Sequence, residues 1–227
     1  MKKIIIFGSS EIAELAKFYF ESENKIEVAA FTIDDEFISE DNFNGLPVVP
    51  FSEISKSFPA HDYDMHVALS YKKLNKLREA KYIQAKDSGY TLQSFISKNS
   101  CISKNVVIGD NCFILENQTI QPFVKIGNNV MLWSGNHIGH GSTIDSHTYL
   151  ASHVVISGNC KIGERCFFGV NSTLKDYLNI GNDCFISMDA SVVKDLKDGD
   201  MVLPAQSNYY DEKSELARRI KKNYFDL

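Results

Sequence analysis

No CxxC pair occurs among the five cysteines of this chain, and their number is odd. That argues against both a zinc knuckle and a disulfide framework. No long basic run occurs, and the formal net charge is −5. Nucleic acid and anionic membranes are therefore not expected as partners. No apolar stretch is long enough to span a bilayer. The start, MKKIIIFGSS, has too few strongly apolar residues after its lysines for a signal peptide. A cytoplasmic location is expected. The full GxGxxG fingerprint is also missing after the first apolar run, which speaks against a dinucleotide site.

What is present is a period. From Ile96 to Val192, every sixth residue is large and apolar, seventeen positions without an exception. Neither a helix nor an alternating strand gives a period of six. Two residues before most of these positions stands a small residue, such as Ser94, Ser142, Thr148 or Ala190. In a strand, side chains at i and i−2 face the same way. Each hexad then turns one large and one small residue inward, as a narrow triangular prism requires. Cys112, Cys160, Cys166 and Cys184 occupy the small position and read as core filler. Glycine follows the apolar residue at Gly109, Gly127, Gly139, Gly163, Gly169 and Gly181, which suits a tight corner. The pattern predicts a left-handed parallel β-helix over about 93–200, with three hexads per turn and residues 18 apart stacked.

Residues 1–92 read differently. KKIIIF is a buried strand from Lys2 to Phe7, followed by the turn Gly8-Ser9-Ser10 and a helix with Ile12, Leu15, Ala16 and Tyr19 at helical spacing. VAAFTIDD gives a second strand ending at Asp34 and Asp35, and DMHVALS a third. KKLNKLREAKYIQAKDSGY reads as a helix stopped by Gly89. This alternation predicts a small Rossmann-like α/β domain with a parallel sheet. Amides of the Gly8-Ser9-Ser10 turn would suit a phosphate. Asp34 and Asp35 are open to contact with a base or ribose, or to a plain turn role. Residues 201–227 form an extension whose EKSELARRIKKNYF reads as a terminal helix with Leu216, Ile220 and Tyr224 on one face.

Trp133 to Gly158 holds four of the six histidines: His137, His140, His147 and His153. No two of them are 18 residues apart, so a metal site within one chain is not expected, although ligands could converge across a subunit interface. His147, between Asp145, Ser146 and Thr148, reads as surface. His137, flanked by Asn136, and His153, one turn below Asn171, are open to both binding and surface roles. His140 follows a glycine corner and stacks under Gly158, which leaves it clear as an acid–base residue. Trp133, Ala151, Gly169 and Ser187 form a column that changes from bulky to small, a possible groove for an extended ligand.

The stretches GNHIGHGSTI (135–144), SHVVISGNCKIG (152–163) and CFFGVNSTL (166–174), together with the N-terminal domain, resemble the hexapeptide-repeat sugar acyltransferases. The likeness is to the bacterial enzymes that N-acetylate nucleotide-linked amino sugars in bacillosamine, perosamine and sialic acid pathways. It implies acetyl-CoA as donor, a homotrimer with sites between neighbouring coils, and no metal. It implies His140 as the catalytic base. It places donor contacts at Gly158, Asn159, Gly169, Val170 and Asn171 and at the position of Tyr149, and His153, in one column with Asn171, is a further donor-binding candidate. It has the N-terminal domain hold the nucleotide part of the sugar, which makes Gly8, Ser9, Ser10, Asp34 and Asp35 candidate substrate contacts, with Asn136 and His137 the candidates near His140. The chain departs from the bacillosamine branch at Gly141, where an acidic residue follows the catalytic histidine, at Tyr149, where a second histidine stands, and at Met188, where a glycine stands. Backbone amides near Gly158 or Gly169 are expected to hold the oxyanion. Transfer to a hydroxyl, transfer of a longer acyl group, a trimeric metalloenzyme of the carbonic anhydrase kind and a non-enzymatic scaffold are the competing readings.

Overall fold

A computed structural model describes residues 3–205 and 207–225. The N-terminal sheet is built from β1 (Lys3–Phe7), β2 (Val28–Ile33), β3 (Asn42–Phe43), β4 (Leu46–Pro50) and β5 (Tyr63–Val67). Its order is β3-β4-β2-β1-β5, parallel except for the β3–β4 pair. The helices are α1 (Glu11–Tyr19), a short α2 (Ile54–Ser57) and α3 (Lys76–Asp87). β1 explains the two layers. Ile4 and Ile6 point to the side of Ala13, Ala16 and Phe20, whereas Ile5 and Phe7 point to the side of Tyr82 and Ala85. The hairpin β3–β4 is absent from the sequence reading, although Asn44-Gly45, at φ +48° and +80°, is a strong two-residue turn signal. Helix α3 also starts later than expected. Lys73, Leu74 and Asn75 all have positive φ, from +50° to +63°, which ends any right-handed helix before Lys76. Gly89, at φ +87°, ends it as expected. Lys2 and the Tyr224 side chain lie outside the described residues.

The coil follows the hexads. Seventeen two-residue strands run from Phe95–Ile96 to Ser191–Val192, each ending on the periodic apolar residue. They stack 18 residues apart in three parallel sheets, as in His137↔Val155 and Lys125↔Thr143. Met201–Val202 adds one more strand to the sheet of Phe185–Ile186, so the ladder continues past residue 200. The interior contains Ile114, Ile138, Ile156, Phe168 and Ile186 together with Cys112, Cys160, Cys166 and Cys184, all buried. Cys101 points outward and is exposed.

The corners differ from expectation in one respect. Every sixth residue from Asn111 to Asp189 has positive φ, three positions after the inward apolar residue. Most of these are not glycine; asparagine, which tolerates this region, recurs at 111, 117, 129, 159 and 171. The glycines directly after the apolar residue serve clearance instead. A Cβ at Gly139 would lie 2.5 Å from the Ser157 carbonyl carbon, and one at Gly169 would lie 2.3 Å from the Met188 nitrogen.

The prism has three faces. The docking face presents Phe95, Phe113, Met131, Tyr149, Phe167 and Phe185. The bare face presents Cys101, Thr119, His137, Val155, Thr173 and Ser191. The lysine face presents Val107, Lys125, Thr143, Lys161 and Asn179. The N-terminal domain covers the lower docking face, where Phe95, Phe113, Met131 and Tyr149 join the core of α1 and the sheet. It is fastened along the neighbouring edge. Arg78 is fully buried and donates to the Asn129 carbonyl, to the His147 carbonyl (2.8 Å) and to Asn75 Oδ1 (2.9 Å). Asn75 Nδ2 donates to the carbonyls of Arg165 and Cys166, and Asn111 pairs with both backbone groups of Val67.

Candidate active site

The six-residue turn distributes the expected site residues over different edges. Strand His137–Ile138 belongs to the bare face, and the chain then turns through Gly139-His140-Gly141 at the edge between the bare and lysine faces. His140 is exposed there. Its ring lies against Gly158 one turn later, for a Cβ at Gly158 would stand 2.7 Å from Cε1 and 3.0 Å from Nε2. The space over Gly158 is thus filled by the imidazole itself, not left empty as the sequence suggested. The His140 N–H donates to Gln121 Oε1 (2.9 Å), and the same oxygen lies 3.2 Å from His140 Nδ1. Gln121 was not singled out in the sequence. The signal was there: it stacks 18 residues below Gly139.

Gly141 lies where the resembling enzymes have an acidic neighbour. Its φ is +68°, and a Cβ would stand 2.5 Å from Asn159 Oδ1, so the Asn159 side chain fills this position from the next turn.

Asn136 requires correction. It stands two residues before Ile138, at the small inward position, and is 1% exposed. Its Nδ2 donates to the Trp133 carbonyl, and its Oδ1 accepts from the Val154 N–H at 2.7 Å. It cannot touch a substrate or orient His140. His147 is the second correction. It is buried, not surface, because α3 docks on its edge. Its Nδ1 meets Asn129 Nδ2 at 2.9 Å and its ring packs on Tyr82. Burial lowers its pKa.

The expected oxyanion donors are also engaged. Gly158 N–H donates to Asp176 Oδ1 (3.0 Å), and Gly169 N–H donates to the Ile186 carbonyl in the ladder (2.7 Å). Val170 N–H, at the next position, has no partner among the described residues.

The remaining donor candidates cluster elsewhere. Above the docked domain, a groove of about 570 Å³ opens on the docking face. It is lined by Tyr71, Trp133, Tyr149, Phe167, Val170 and Met188, among others. The whole predicted column of Trp133, Ala151, Gly169 and Ser187 borders it. Tyr149, Phe167 and Phe185 stack along its floor, with centroids 5.4 Å apart at 14° and 7°. Tyr71 closes one side, 5.1 Å from Tyr149 and 4.8 Å from Phe167. Burial raises the Tyr149 pKa, so its phenol stays neutral. His153 and Asn171 occupy positive-φ corners at the adjoining edge, and the His153 ring covers Gly135. His137 points out of the bare face. The expected donor set is therefore split. Gly158 and Asn159 sit beside His140; Tyr149, His153, Gly169, Val170 and Asn171 sit across the bare face from it.

In the N-terminal domain, Gly8-Ser9-Ser10, Asp34 and Asp35 follow the C-terminal ends of β1 and β2, the edge where open parallel sheets bind ligands. Tyr71 follows β5 at the same edge. Gly8 has φ +131°, and a Cβ there would meet the Ala68 carbonyl oxygen at 2.7 Å. Ser9 and Ser10 are exposed. Asp34 is paired with Lys81 Nζ at 2.5 Å. Asp35 accepts from the Ser52 hydroxyl and amide, which lowers its pKa. Both aspartates thus have internal partners.

Comparison with known proteins agrees with this architecture. The family described as bacterial transferase hexapeptide (six repeats) matches residues 123–158. YvoF of Bacillus subtilis (strain 168), which carries an acetyltransferase name, is 28% identical over 104 residues, 46% of this chain and 60% of its own length. The chain thus spans less than two thirds of that relative. A variant of perosamine N-acetyltransferase from Caulobacter crescentus, solved with CoA and GDP-perosamine, superposes with a TM-score of 0.80 at 21% identity, covering 91% of this chain and 98% of that one. The acetyltransferase domain of PglB from Neisseria gonorrhoeae FA1090 gives 0.78 at 18% identity, covering 90% and 100%. By its fold, the chain shares the β-helix and the two-part architecture of these structures.

Proposed function

We propose that this protein is an acetyl-CoA-dependent N-acetyltransferase acting on the amino group of a nucleotide-linked amino-deoxy sugar in the cytoplasm. The observation that carries this reading is His140, an exposed imidazole held at a coil corner with one nitrogen toward Gln121 and the other without a partner among the described residues. Such a group accepts the proton as an amine attacks a thioester, a contribution of roughly 10²–10⁴ in rate. The amine nitrogen bonds to the acetyl carbon, the carbon–sulfur bond breaks, and CoA leaves as a thiol. Val170 N–H, without a partner among the described residues, is available to donate to the developing oxyanion. The aromatic groove suits the apolar part of an extended ligand. The Gly8-Ser9-Ser10 turn, on the sheet edge that leads to Tyr71, suits the phosphates.

His140 and the groove border opposite edges of the bare face. One chain's base is therefore placed to serve a neighbouring chain's groove. The bare face supports the same assembly, because its strand residues Thr119, His137, Val155, Thr173 and Ser191 include no lysine or carboxylate, whereas the lysine face carries Lys125 and Lys161. We assign it as the contact between copies of a homotrimer.

The test is acetyl-CoA with a panel of nucleotide amino sugars, followed by mass spectrometry. An acetyl mass increment on an amino sugar is expected. Free thiol release without an acylated sugar across the panel would overturn the reading, and an increment on a sugar bearing only hydroxyls would move it to O-acylation.

A further inference from the structure

The geometry points to Gln121 as the positioning residue that fixes the tautomer of His140; this rests on the transferase reading above only for its kinetic consequence. The backbone N–H of His140 can only donate, and it lies 2.9 Å from one end of the Gln121 amide. That end must be the carbonyl oxygen, which settles the amide's orientation. The same oxygen lies 3.2 Å from His140 Nδ1. An amide oxygen only accepts, so a bonded Nδ1 carries the hydrogen. The neutral ring then has its lone pair on Nε2, the nitrogen that is not turned toward Gln121.

This matters because a neutral imidazole has one basic nitrogen, and the partner of the other nitrogen selects which. With the proton on Nε2 the ring would present a donor to an incoming amine and could not act as base. Elsewhere a carboxylate does this work in acyl-transfer triads, and loss of the correct tautomer alone costs orders of magnitude. Here the acceptor is a neutral amide from the preceding turn. It fixes the tautomer without adding a negative charge beside the ring. Among the described residues no carboxylate pairs with His140, and Gly141 offers none.

The assignment is tested with three variants and two readouts. Gln121→Met keeps the size and removes the acceptor. Gln121→Glu keeps an acceptor at the same reach. His140→Gln identifies the His140 signal. Nitrogen-15 NMR of the histidine-labelled full chain at pH 8, where an ordinary imidazole with pKa about 6.5 is neutral, reports the tautomer without substrate. We expect the Nδ1–H form in the native protein and in Gln121→Glu, and loss of that preference in Gln121→Met. In steady-state kinetics we expect kcat of Gln121→Met to fall about 10–100-fold, near the lower end of what a general base contributes, with KM within about twofold. Gln121→Glu should restore most of kcat, which a packing role would not predict. A native Nε2–H tautomer, or native kcat in Gln121→Met, would overturn the proposal. If no acetyl transfer is found while the Nδ1–H form is present and lost in Gln121→Met, the transferase reading fails and the tautomer assignment stands.

Discussion

Gly158→Ala is the most informative single change, because the perturbation can be worked out atom by atom. The new Cβ would stand 2.7 Å from His140 Cε1, 3.0 Å from Nε2 and 3.2 Å from Nδ1. The first is shorter than any ordinary Cβ contact, and the other two are tighter than most. The backbone of this corner is held from both sides, since Asn159 N–H donates to the His140 carbonyl at 2.8 Å and the Gly158 carbonyl accepts from Tyr177 N–H at 3.0 Å. The exposed imidazole is therefore expected to shift off Gly158, at the expense of its 3.2 Å contact with Gln121. Removal of a well-placed general base costs roughly 10²–10⁴ in rate, so kcat is expected to fall about 100-fold. Stability should not fall with it. Gly158 is not at positive φ, and at compatible positions Gly→Ala gains roughly 0.4–1 kcal/mol by restricting the unfolded chain. Steady-state kinetics and a thermal melt on the same sample are the assay. A double-mutant cycle sharpens it: on a His140→Ala background, Gly158→Ala should have no further effect on kcat, because both remove one base. Native kcat in Gly158→Ala, or independent losses in the cycle, would refute the reasoning.

Three further outcomes are expected. Arg78→Ala leaves two coil carbonyls and Asn75 Oδ1 without their buried donor, so chemical denaturation should show a loss of about 3–5 kcal/mol, or separate melting of the two domains. His66 is buried against Phe20 and Phe113, donates to the Gln93 carbonyl and has its pKa pushed down to about 4. Its folded pKa lies below the unfolded value, so its contribution is complete above about pH 6.5 and is lost as pH falls toward 4, by roughly 3 kcal/mol; urea midpoints across this window should lose that slope in His66→Gln. Tyr71→Ala removes an exposed edge-to-face wall of the groove, and should raise a substrate KM about 3–10-fold, in keeping with roughly 0.5–1.5 kcal/mol for an aromatic contact, while the melting temperature and kcat stay near native.

The sequence by itself determined the coil. A six-residue period needs no distant partner to be read, because each hexad states which residues face inward, and residues 18 apart must stack. The burial of four cysteines and the groove column of Trp133, Ala151, Gly169 and Ser187 followed from that register alone. Asn136 follows the same rule, since it stands two before Ile138 and is buried there although its side chain is polar. Tertiary structure alone decided the rest. His147 lies at an ordinary corner in the one-dimensional pattern. It is buried only because α3, some 60–70 residues earlier, brings Arg78 and Tyr82 onto that edge. Asp34 and Asp35 found Lys81 and Ser52, partners that no local spacing specifies. The separation of His140 from the groove also required the assembled prism. Residues a few positions apart in the chain turn onto different edges, while Gln121, 19 residues before His140, comes into hydrogen-bonding contact with it.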